Sequence, residues 1–129
     1  MTVSITPLTP AFAGEAGAID LRQVHDRQSL EAIRAGMDRY AVLVFRDQNF
    51  NNEEQLDFAQ RFDGTLHART SSSAIGNNRF GNEALADVSN VDRDGRIRDG
   101  NNRMRASSVA NRLWHTDASF VDPPGRYSM

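Results

Sequence analysis

The strongest constraint on the fold lies between Asp26 and Phe45, where two hydrophobic patterns of different period meet. From Asp26 to Tyr40 the apolar residues Leu30, Ile33, Met37 and Tyr40 recur at helical spacing, and Arg27, Glu31, Arg34 and Asp38 fill the remaining surface. The pattern predicts an amphipathic helix, capped by Asp26 or Ser29. The run Ala41-Val-Leu-Val-Phe45 follows at once. It is continuous and rich in β-branched residues, which predicts a strand buried on both faces. A second helix is signalled at Asn51, an N-cap residue with Glu54 in the capping-box position three residues on. Leu56, Phe58, Ala59 and Phe62 supply its buried stripe, and Asp63-Gly64 its stop. Upstream, Ser4–Thr6 alternates weakly and predicts a short strand ended by Pro7 and Pro10.

After Gly64 the character changes. Residues 65–83 are rich in Ser, Asn and Gly without a sustained period, the composition of a long loop. Ala84–Val91 predicts a short strand. Asp92–Arg105 then carries eight charged residues and reads as a solvated loop, with Asp94-Gly95 as a hairpin turn. A calcium loop is excluded there, because no third acidic ligand precedes the glycine and no closing glutamate follows. An RNA-binding patch is excluded as well, since three aspartates offset five arginines and no aromatic residues interleave them.

With 129 residues the chain has the length of one small domain. The formal net charge of -2, with both signs interspersed, gives no reason to expect a nucleic-acid partner or an anionic membrane surface. There are no cysteines, so disulfides, thiolate metal sites and cysteine nucleophiles are all excluded. No apolar run approaches the roughly 20 residues of a membrane span, and the amino terminus lacks the pattern of a secretory leader. A cytoplasmic protein is expected.

The chemistry concentrates in Asn111-Arg-Leu-Trp-His-Thr-Asp-Ala-Ser-Phe120. If this stretch is extended, Asn111, Leu113, His115, Asp117 and Ser119 share one face, while Trp114, Thr116, Ala118 and Phe120 share the other and press into a core. His115 and Asp117 then stand close enough to hold one ion. An imidazole with a carboxylate suits a divalent transition metal, and two histidines with one carboxylate form the site of non-haem Fe(II) oxygenases. A third protein ligand, a histidine, is required. His25 sits in a charged, exposed context; His67 starts the long loop. The competing expectation is a His and an Asp on an edge strand with a structural role only, in a binding or interaction domain. A metal-dependent hydrolase of another fold would need a further ligand on the same face, and the sequence offers none at comparable spacing.

Four segments taken in order, VLVFRDQ (Val42–Gln48), QRFDG (Gln60–Gly64), ADVSNV (Ala86–Val91) and NRLWHTDASF, resemble the amino-terminal part of the taurine/2,4-dichlorophenoxyacetate dioxygenase (TauD/TfdA) family. The last two look closer to the 2,4-dichlorophenoxyacetate branch. The resemblance implies an α+β chain: the amino-terminal part of a double-stranded β-helix (jelly-roll) dioxygenase with flanking helices. It implies that His115 and Asp117 are metal ligands to Fe(II), with 2-oxoglutarate as co-substrate and O2 as oxidant. It implies that Asn111 lines the substrate side of the pocket, and that His67 or Arg69 belongs to the loop meeting the substrate's acidic group. The activity implied is hydroxylation of a small organic acid, an aryloxyalkanoate by the closer branch, with release of succinate and CO2. A homo-oligomer is compatible with the resemblance. The family also needs a distal histidine, and an arginine for the 2-oxoglutarate carboxylate. No histidine follows His115 and the only later arginine is Arg126. The expectation is therefore that residues 1–129 form an incomplete dioxygenase domain, truncated on its carboxyl side and inactive alone.

Overall fold

Asp26 opens the first helix of the computed structural model by accepting a hydrogen bond from the Ser29 amide at 2.9 Å. That bond holds the Asp26 carboxyl below its usual pKa. The structure describes residues 3–62, 64–66, 80, 82, 84–85, 89–92, 94–100, 112–116 and 122–129. Two units are distinguished, Met1–Gly64 and Thr65–Met129.

In the first unit, β1 (Ile5–Pro7), β2 (Gly14–Ala16) and β3 (Leu43–Val44) form a sheet in the order β1-β2-β3. β1 pairs antiparallel with β2, with Ile5 opposite Ala16; β2 pairs parallel with β3, with Gly14 opposite Leu43. A parallel pair needs a crossover, and α1 (Arg27–Tyr40) lies within the one joining β2 to β3. Leu30, Ile33 and Gly36 are buried on α1, as the helical spacing of the first two predicts. At Gly36 the sheet comes so close that a Cβ would lie 2.4 Å from Ile5 Cδ1 and 3.0 Å from Leu43 Cδ1. A Cβ there would force those side-chain ends to shift.

The strand expected over Ala41–Phe45 is corrected by the end of this helix. Ala41 takes a left-handed conformation, φ 61°, and its amide closes onto the Met37 carbonyl at 2.8 Å as the helix cap. The Val42 amide donates to the Tyr40 carbonyl, so pairing begins only at Leu43. Both residues of β3 are half-buried, and Val42 is exposed. Burial on both faces does not occur over Ala41–Phe45.

α2 (Asn52–Gln60) carries the complete capping box: Asn51 Oδ1 accepts from the Glu54 amide and Glu54 Oε2 from the Asn51 amide, each at 2.9 Å. The helix ends at Gln60, before the expected Asp63-Gly64 stop, although Gly64 does adopt φ 78°. Phe58 is the most buried large side chain and packs edge-on against Phe62, with ring centroids 5.3 Å apart. Around it Leu21, Val24, Leu30 and Ile33 close the core, with Val3, Ile19, Leu43, Phe45, Phe50 and Phe62 packed against them.

The residues linking β2 to α1 contribute Leu21 and Val24 to this core without a sheet or long helix of their own. A single 3-10 turn at Leu21–Gln23 carries them. Its backbone is satisfied by side chains from elsewhere. Gln48 Oε1 accepts from the Leu21 amide at 2.9 Å, and Gln48 Nε2 donates to the Ile19 carbonyl at 2.7 Å. Arg61 Nη1 donates to the carbonyls of Leu21, Arg22 and Val24 at 2.9–3.1 Å, while Nη2 bonds Asp57.

In the second unit the Asp94-Gly95 turn forms as expected, with Gly95 at φ 79° and an antiparallel bridge between Val91 and Ile97. Asp92 Oδ1 accepts from the amides of Asp94 and Arg96, which engages this carboxylate in holding the turn. The strand expected over Ala84–Val91 is not formed where it is described. Ala84 and Leu85 lie in a turn whose amides bond Asn82, and Val91 alone joins a bridge. Residues 86–88 lie outside the described residues, as does most of the loop at 65–83. One small mixed sheet and two helices make the described chain α+β. Among the described residues, no helix is long and apolar enough to cross a membrane.

Candidate metal centre

The His-x-Asp stretch is described from Arg112 to Thr116, and all five residues are exposed. Arg112 and Leu113 lie in a turn and bend rather than a strand, so strict two-residue alternation does not hold there. Trp114 is fully exposed and Leu113 is 72% exposed. The expectation that Trp114 presses into a core is thereby corrected. The turn at Arg112–Leu113 takes the segment out of an extended course, and the indole faces solvent.

One contact of the imidazole lies within the described residues. His115 Nδ1 lies 2.8 Å from the Leu113 carbonyl oxygen, which can only accept. In the tautomer with its proton on Nδ1, that nitrogen donates to the carbonyl and the lone pair is on Nε2. A backbone carbonyl that fixes the tautomer through one ring nitrogen, while the other is presented as a ligand, is the arrangement metal-binding histidines adopt. The chemistry of His115 thus fits a divalent transition metal. The ring borders an open depression of about 330 Å³ lined by Arg112, Leu113, Trp114 and His115.

The remaining sequence candidates do not all fall within view. Asp117 and Asn111 lie outside the described residues, as do His67 and Arg69. His25 is exposed in the first unit, as its charged context predicts.

Residues 4–129 match the family described as taurine catabolism dioxygenase TauD, TfdA family. The chain belongs to this family. Over its full 129 residues this TauD/TfdA chain is 39% identical to the alpha-ketoglutarate-dependent 2,4-dichlorophenoxyacetate dioxygenase of Cupriavidus pinatubonensis, spanning 45% of that protein. It is 27% identical over 124 residues to the (S)-phenoxypropionate/alpha-ketoglutarate-dioxygenase of Delftia acidovorans, 38% of whose length it covers. Among solved structures, the crystal structure of AAD-2 in complex with Mn(II) and N-oxalylglycine superposes with a TM-score of 0.82 at 34% identity, over 94% of this chain and 42% of that one. The TauD/TfdA chain therefore spans less than half the length of the relatives it matches.

Proposed function

We propose that this chain is the amino-terminal part of a double-stranded β-helix dioxygenase domain, and that the whole enzyme hydroxylates an aryloxyalkanoic acid such as 2,4-dichlorophenoxyacetate. His115 and Asp117 are two of the three iron ligands, and a histidine outside residues 1–129 completes a two-histidine, one-carboxylate set. When bound, Fe(II) together with 2-oxoglutarate and O2 supplies the oxidising power for hydroxylation, with release of succinate and CO2. The chain's own residues supply geometry. Leu113 holds the proton of His115 on Nδ1 through its carbonyl, which orients the ring and directs Nε2 toward a metal. Asp117 brings a negative charge two residues away, and Asn111 lines the substrate side of the pocket.

The observation that carries this reading is the 2.8 Å approach of His115 Nδ1 to the Leu113 carbonyl oxygen, the contact by which a backbone oxygen orients a ligand histidine. Membership of the TauD/TfdA family and the 39% identity to a dioxygenase of the stated chemistry support it. The test is turnover by the protein expressed from its complete reading frame, with Fe(II), 2-oxoglutarate and 2,4-dichlorophenoxyacetate. Succinate should form in step with a phenol, and His115→Ala should abolish both. A folded, iron-loaded protein that forms no succinate with any aryloxyalkanoate would rule the proposal out.

A further inference from the structure

We draw no further inference here: the strongest candidate, the surface patch of exposed apolar side chains Leu8, Phe12 and Val42 at the end of the sheet where β1 finishes and β2 and β3 begin, carries nothing because nothing in the structure shows what covers it.

Discussion

Residues 1–64 and the described residues of 65–129 use their side chains in opposite ways. In the first unit arginines, amides and carboxylates are spent on the backbone and on each other. Arg61 reaches three carbonyls, Gln48 bridges the Leu21 amide and the Ile19 carbonyl, and Asn51 and Glu54 close a capping box. Around the Arg112–Thr116 segment the balance reverses. Trp114 and Leu113 face solvent, Arg112 and His115 border an open depression, and His115 Nδ1 meets the Leu113 carbonyl oxygen. The difference is that between a packed unit and an exposed segment. Large apolar side chains exposed together mark a surface that other groups cover.

The comparison breaks most visibly if the scaffold tolerates loss of its central ring. Phe58→Ala should destabilise the chain by about 3–5 kcal/mol, read from urea denaturation, because Phe58 is 1% exposed amid Leu21, Val24, Leu30 and Ile33. A loss below about 1 kcal/mol would mean the cluster is not the core that holds the unit. Gly36→Ala sharpens the same point with a sign. In an open helix alanine gains about 1 kcal/mol over glycine. Here the added Cβ meets Ile5 and Leu43, so overpacking should reverse the sign and cost about 1–3 kcal/mol. A raised melting temperature would show that α1 is free to move off the sheet. The smallest effect belongs to the site: His115→Gln should shift stability by no more than about 0.5 kcal/mol, since the ring is exposed. A large loss there would make His115 a structural residue.

How legible each region was in the sequence follows the same division. Signals confined to a few neighbouring residues were readable: the Asp26 cap, the Asn51–Glu54 capping box, the helical spacing of Leu30 and Ile33, and the Asp94-Gly95 turn. Features decided by distant partners were not. β2 is Gly14-Glu15-Ala16, three residues with no strand preference, and it is a strand because β1 and β3 flank it. The apolar run at Ala41–Phe45 promised five buried residues, but capping of α1 by Ala41 consumed its start. Val24 reaches the core on a segment whose backbone is satisfied by Arg61 and Gln48, from 37 and 29 residues away for the Val24 and Ile19 carbonyls. At the site, the residue types of His115 and Asp117 were readable from sequence, as was a family resemblance later matched over residues 4–129. The approach of the Leu113 carbonyl to His115 Nδ1 was not, because it depends on where that carbonyl turns. Nor was the exposure of Trp114, which alternation placed on an inward face.

The proposed iron-ligand role of His115 requires a lone pair on Nε2, with the proton on Nδ1 against the Leu113 carbonyl. Long-range 15N–1H NMR of the imidazole rings measures this directly, with Zn(II) as a diamagnetic probe and His115→Gln for assignment. The account predicts an Nδ1-protonated ring before metal is added, and a shift confined to Nε2 as Zn(II) binds, with Nδ1 still protonated. An Nε2-protonated ring, or resonances of His115 that do not respond to the metal, would contradict it.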